Sequence, residues 1–203
     1  SGHDTVMAEA GAIGDRLVGY HQARAAGGVG LIVLQVAGVH ESAKYSTSVL
    51  MADTDDCIPG YRRLVEAVKP HGTAVFGQLF HDGREMMESQ DGSLPVALAP
   101  SAVPSERFHV MPRAMPVSLI HEIVDCFGAS ARRLQSAGLD GVEVVASHGY
   151  LPAQFLNPRV NIRDDEYGGS LENRLRFVRE VIGAIRSEVG RELVVGLRIS
   201  ASE

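Results

Sequence analysis

Four stretches of the chain share one pattern: a glycine-bearing turn, an unbroken apolar run of strand length, and a polar or glycine-bearing exit. They are GGVGLIVLQVAG from residue 27, HGTAVFGQLFHDG from 71, AGLDGVEVVASHG from 137 and GRELVVGLRIS from 190. Strands that are apolar throughout, with no alternation, belong to parallel sheets covered on both faces. Between them the apolar period changes to three and four. Leu119, Ile120, Ile123, Val124, Phe127, Ala131 and Leu134 form one stripe over 118–137, with Ser118 as the expected N-cap. Leu171, Leu175, Val178, Ile182 and Ile185 form another over 170–188, capped by Ser170, and shorter helical patterns fit 14–26 and 59–69. The chain therefore reads as repeated βα units.

That order fits a doubly wound sheet or a (β/α)8 barrel. No G-x-G-x-x-G follows a strand, which weighs against a dinucleotide fold. Chemically capable residues stand instead at several strand exits: Gln78 and His81, His148 and Tyr150, then Arg198. Catalytic groups gathered from many strand ends are the habit of the barrel, which needs eight strands and about 250 residues. Only four strands are legible in 203 residues. The expectation is an α/β chain, a single domain over 1–203, forming an incomplete TIM barrel of about strands 2–5 with the end of strand 1.

Composition narrows the partners. A net charge of -6, with Lys and Arg scattered among acids, gives no basic stripe for nucleic acid. The longest apolar run, 29–39, is shorter than the roughly 18 residues that cross a bilayer, and no secretory leader opens the chain. A cytoplasmic protein with no membrane or nucleic-acid partner is expected. Cys57 and Cys126 have no neighbouring cysteine, so they read as buried thiols and not as a disulfide or zinc pair. The acids of NIRDDEYGGSLENR lack the spacing of a zinc or calcium site and read as a compact turn ahead of a helix, so no metal is expected. Residues 82–117, carrying Pro95, Pro100, Pro104, Pro112 and Pro116, read as a long loop without secondary structure.

At FGQLFHDGRE, PVALAPSAVPSE and ASHGYLPAQFLNPRVNIRDDEYGGSLENRLRF the chain resembles the old yellow enzyme family of FMN-dependent oxidoreductases, also called NADH:flavin oxidoreductases. The likeness covers nearly all of it, and implies that barrel strands six to eight lie outside these residues. HDTVMAEAGAIGDRLVGYHQARAAGGVGLIVLQVAG and SHGYLPAQFLNP look most like the branch of trimethylamine dehydrogenase, N-methylproline demethylase and 2,4-dienoyl-CoA reductase. Asp4 stands where trimethylamine dehydrogenase has its flavin-linking Cys, so covalent flavin is not expected. Val36 replaces an aromatic that cages a methylated cation there.

The resemblance implies FMN as cofactor, with NAD(P)H as a compatible hydride source. It also leaves room for a 4Fe–4S cluster and a nucleotide-binding domain downstream, as in larger members. Gln78 would pair with the flavin pyrimidine edge, Arg198 would stabilise the reduced ring, and Gly2, His3 and Val36 would contact the ring through backbone. His148 would bind substrate or flavin, and Tyr150 would deliver a proton. The family motif places a polar residue three positions before His148, but this chain has Val145. The loss of that donor favours oxidative demethylation of an N-methylated amine or amino acid, with formaldehyde and a secondary amine as products. The alternative is NAD(P)H-dependent reduction of an α,β-unsaturated carbonyl or enoyl thioester with Tyr150 as the acid. A third reading is a fragment that is inactive by itself, binds flavin weakly, and either self-associates as a homo-oligomer through its open edges or folds poorly. Arg84 reads as a salt bridge to Glu85 or Glu106, and His81 as structural.

Overall fold

The computed structural model describes residues 2–44, 46–86 and 96–201. Its elements, in chain order, are β1 Ala8–Glu9, β2 Ala12–Ile13, α1 Asp15–Ala26, β3 Leu31–Gly38, β4 Leu50–Met51, α2 Ile58–Val68, β5 Ala74–Phe80, β6 Leu98–Ala99, β7 Arg113–Ala114, α3 Val117–Ser136, β8 Gly141–Ala146, α4 Leu151–Leu156, α5 Leu171–Val189 and β9 Val194–Ile199.

The main sheet runs β4-β3-β5-β8-β9, with every neighbouring pair parallel. Each long strand joins the edge left by the one before it. A doubly wound sheet reverses direction part-way; this one does not, and its strand order is that of a barrel wall. The helices follow the same sequence, with α1 against α2, α2 against α3, and α3 against α5. Val75 and Leu79 of β5 and Val142 and Val144 of β8 are fully buried in the core shared with these helices. Period-two alternation therefore sends Gln78, Phe80, Glu143 and Val145 to the other face.

The helix layer is fixed largely by aromatic packing. Phe155 of α4 stacks on Phe177 of α5 at 4.3 Å, and Phe127 of α3 meets Phe177 edge-on at 6.4 Å. All three are buried, and each such ring contributes about 1.5–3 kcal/mol. α5 begins as its sequence indicates, with Ser170 Oγ accepting the Asn173 N–H at 3.2 Å. α3 does not. Pro116 occupies its N-cap, and the Pro116 carbonyl accepts from the N–H groups of Leu119 and Ile120, so Ser118 lies inside the first turn.

The Pro-rich stretch is also more ordered than its sequence indicates. Its ends pair in parallel as β6 and β7, Leu98 opposite Arg113 and Ala99 opposite Ala114; residues 87–95 of that loop lie outside the described residues. In the polar block after His148, the first six residues from Leu151 form α4, and the compact turn follows it. There Asn161, buried, donates to the carbonyls of Phe155 and Tyr167 at 2.8 and 2.7 Å. Arg163 pairs with Asp165 and donates to the carbonyls of Pro100 and Met115. These bonds tie the block to the β6–β7 loop and support the structural reading of its acids.

Candidate active site

The face of the sheet turned away from the helices carries a polar group at one level. Gln78 and Glu143 are register partners on β5 and β8, so their side chains leave the sheet side by side. Gln78 Nε2 donates to Glu143 Oε1 at 2.6 Å. Arg198 stands on β9 one pleat further toward the strand exits and reaches back, its Nε donating to the same Oε1 at 2.9 Å. One carboxylate oxygen thus joins two of the residues singled out in the sequence. Among the described residues, Gln78 Oε1 and the terminal nitrogens of Arg198 make no hydrogen bond. Glu143 was not singled out, although a lone cation in an apolar strand requires a partner, and Glu143 is the only acid in β8.

Above this level the walls turn apolar. Val145 is 1% exposed and packs in a cluster with Val49, Met51 and Phe80, against which Val36 and Tyr150 also rest. The Tyr150 ring meets Phe80 edge-on at 5.2 Å and lies 5.9 Å from the ring of His148. Burial holds the Tyr150 phenol above its ordinary pKa, with the neighbouring Asp82 acting in the same direction. His148 is exposed, adopts a left-handed φ of 60°, and hydrogen-bonds Ser147 Oγ through Nδ1 at 2.7 Å.

Behind Phe80 lies a second polar run. Gly83 N–H donates to His81 Nδ1 at 3.0 Å, which fixes the His81 proton on Nε2, 2.9 Å from Ser42 Oγ. The Ser42 N–H donates to His40 Nδ1, so the Ser42 hydroxyl, 2.7 Å away, donates there too. His40 Nε2 lies 3.4 Å from Glu122. His81 and Asp82 are both fully buried, and among the described residues neither Asp82 side-chain oxygen has a hydrogen-bond partner. Desolvation lowers His81 to about 3 and raises Asp82 well above the carboxylate range. His81 is therefore neutral near pH 7, and its 3.5 Å approach to Asp82 is not an ion pair. Arg84 lies 3.3 Å from Glu85, one of the two partners expected for it.

The N-terminal segment meets the site at one residue. A Cβ on Gly2 would lie 2.3 Å from the Leu34 carbonyl oxygen and 2.9 Å from Gln78 Oε1, so only glycine fits there. Thr5 fastens the segment to β3, its N–H and Oγ1 both donating to Gln35 Oε1. Gln35 lies where the β3–β5 register shifts. Asp4 accepts from Ser48 Oγ at 2.7 Å. His3 is not brought into the group: it is exposed and lines a groove with Tyr20, His21 and Arg24 beside the start of β3. Another groove, of about 450 Å³, lies beside the ends of β8 and β9 between Ala146, Leu156, Leu171 and Ile199, and its walls are largely apolar.

Residues 4–203 match the NADH:flavin oxidoreductase / NADH oxidase family. The chain belongs to this family. Among its relatives, an NADH oxidase of Thermoanaerobacter brockii is 40% identical over 197 residues, covering 96% of this chain and 30% of the relative. An N,N-dimethylglycine/sarcosine dehydrogenase of Chromohalobacter salexigens is 38% identical over 193 residues, covering 93% of this chain and 27% of that protein. Among solved structures, morphinone reductase in complex with tetrahydroNAD superposes with a TM-score of 0.86 at 32% identity, covering 97% of this chain and 58% of that one. The chain thus spans less than a third of each of these two relatives and rather more than half of the solved structure. As a member of the NADH:flavin oxidoreductase family it is an arc of a TIM barrel.

The donor set fits the cofactor of that family. An isoalloxazine ring presents an imide N–H flanked by two carbonyl oxygens, and Gln78 offers an unused acceptor and a second amide N–H to match it. Arg198 offers free N–H groups for an acceptor that gains negative charge. Among the described residues no three His, Cys, Asp or Glu side chains group as a metal site. Cys57 and Cys126 are half-buried and unpaired, and burial raises both thiols, Cys57 to about 11. No helix is long and apolar enough to cross a membrane among the described residues.

Proposed function

We propose that these residues form the ring-binding and substrate-facing part of an FMN-dependent oxidoreductase that works with NAD(P)H or with an amine as hydride source. Bound FMN supplies a reversible hydride site at its N5. The observation that carries the reading is the convergence of Gln78 and Arg198 on one sheet face, each with unused hydrogen-bonding atoms, below an apolar shelf bearing Tyr150. Gln78 holds the ring imide and Arg198 offsets the charge of the reduced ring. Gly2, set against the Leu34 carbonyl, and Val36, the register partner of Gln78, meet the ring through their backbone. His148 donates to the substrate from the exposed side, and Tyr150 keeps its proton until a carbanion needs it.

For the substrate, Val145 favours a carbon next to an amine nitrogen. It replaces a polar donor with a side chain sealed among Val49, Met51 and Phe80, which offers nothing to a developing oxyanion. An N-methyl group losing hydride develops no such charge, and the relative acting on dimethylglycine and sarcosine is consistent with that chemistry. The second reading, reduction of an alkene activated by a carbonyl, rests on the Tyr150–His148 pair and accords with the reductase fold match.

Anaerobic bleaching of the flavin in the product of the complete gene separates them. Bleaching by N-methylated amino acids without NADH supports demethylation. Bleaching by NADH and recovery on adding an enone supports alkene reduction. A purified protein that retains no FMN under either condition defeats both.

A further inference from the structure

Building on the assignment of Gln78 and Arg198 to the flavin ring, we infer that Glu143 is the positioning residue of the cofactor site, and that its charge sets the reduction potential of the bound flavin. The inference starts from the shared oxygen. Glu143 Oε1 accepts from Gln78 Nε2 and from Arg198 Nε, while its Oε2 makes no hydrogen bond among the described residues.

The first consequence concerns Gln78. An amide can turn over and exchange its donor and acceptor ends with little change in shape. A carboxylate accepts hydrogen bonds only, so it binds the NH2 end and turns Oε1 away from itself. Here Oε1 lies 2.9 Å from where a Gly2 Cβ would stand, while Nε2 is held by Glu143. Glu143 thus selects the one orientation of Gln78 that presents an acceptor to a ring N–H. The register pairing of Gln78 with Glu143 makes this selection a property of the sheet.

The second consequence concerns charge. Gly196 is the β9 residue opposite Glu143, and Arg198 is its neighbour two along on the same face. Arg198 lies back over that position to reach Oε1, which anchors its Nε and leaves its terminal nitrogens free. The carboxylate offsets part of the guanidinium charge. A neutral oxidised ring is little affected, but an anionic reduced ring meets a weaker positive field than Arg198 alone would provide. Glu143 therefore lowers the flavin potential while fixing the residues that bind the ring.

The test uses the product of the complete gene, its Glu143→Gln and Glu143→Asp variants, FMN affinity from quenching of flavin fluorescence by apoprotein, and the midpoint potential from dye equilibration. Glu143→Gln keeps an acceptor of the same shape without the charge. It should bind oxidised FMN within about threefold of the parent and reduced FMN about tenfold more tightly, a rise of about 30 mV for a two-electron couple. Glu143→Asp keeps the charge but is too short to reach both donors. It should leave the potential unmoved and weaken FMN binding about tenfold, the equivalent of one lost charge-assisted hydrogen bond.

An unchanged potential in Glu143→Gln, or unchanged affinity in Glu143→Asp, overturns the inference. Loss of far-UV circular dichroism in both variants does so as well, since Glu143 would then serve only the fold. Gln78→Ala and Arg198→Ala test the underlying assignment separately: if both bind FMN like the parent, the flavin reading itself fails, whatever Glu143 does.

Discussion

The rings of His148 and Tyr150 lie 5.9 Å apart at one strand exit, with His148 exposed and Tyr150 half-buried against Phe80. The environment separates their roles. A phenol whose pKa is raised by burial and by Asp82 stays protonated at neutral pH, whereas the exposed imidazole stands on the water side, where the proposed reading has it meet substrate. Tyr150→Phe should slow reoxidation of reduced flavin by an enone about 100-fold or more, the usual contribution of a placed general acid. Flavin reduction by an N-methylated amine should change far less. Stopped-flow measurement of the two half-reactions checks this, and equal losses in both would assign Tyr150 to packing.

His148 holds a left-handed backbone conformation that a β-branched side chain resists. His148→Val should cost about 1–2 kcal/mol, whereas Asn, which tolerates that region, should be nearly neutral. For a chain of this size the Val variant should melt roughly 2–8 °C lower. Matching melting curves for the two variants would show that the turn relaxes.

Ser42 bridges His40 and His81, and His81 is fully buried. Ser42→Ala strands the His81 Nε2–H without an acceptor, which costs about 1–3 kcal/mol. Urea unfolding of the parent and variant at pH 7 measures it. A loss below about 0.5 kcal/mol would mean that another acceptor takes over, since surface changes commonly fall within that range.

His81 and Asp82 oppose each other in the pH dependence of stability. His81, lowered from 6.5 to about 3, stabilises the fold above pH 6.5 and loses that contribution as pH falls toward 3. Asp82 is raised, so its contribution is full below the ordinary carboxylate pKa and fades as pH rises toward its folded value. Above about pH 4 the two slopes oppose each other, while His21, whose burial lowers it to about 4, adds a further loss on the acid side. Asp82→Asn removes the compensation. From pH 7 to pH 5 that variant should lose stability more steeply than the parent. Parallel pH profiles would show that Asp82 ionises in the folded protein.

The strands and main helices were legible because parallel strands and amphipathic helices write their burial into apolar periodicity. Ser170 was readable as a cap, but Ser118 was not, because Pro116 can end the preceding loop and start α3 at the same point. The β6–β7 pairing was hidden because two-residue bridges leave no period. At the site, Gln78, Arg198 and Tyr150 stood out as polar residues at strand exits. Glu143 did not, since a Glu between valines in a strand looks like an ordinary solvent-facing position until register places it beside Gln78. The burial of His81 and Asp82 was likewise invisible, because residues that bond to them, Ser42 and Gln154, lie 39 and 72 positions away in sequence.

The strand order β3, β5, β8, β9 is also the order in which a ribosome releases those strands. The polar group is accordingly assembled in time as well as in space: Gln78 emerges first, Glu143 next, and Arg198 last. Until β9 is added, the amide already has its partner but the acid has no cation. Closing the ion pair marks the moment at which β9 joins the sheet.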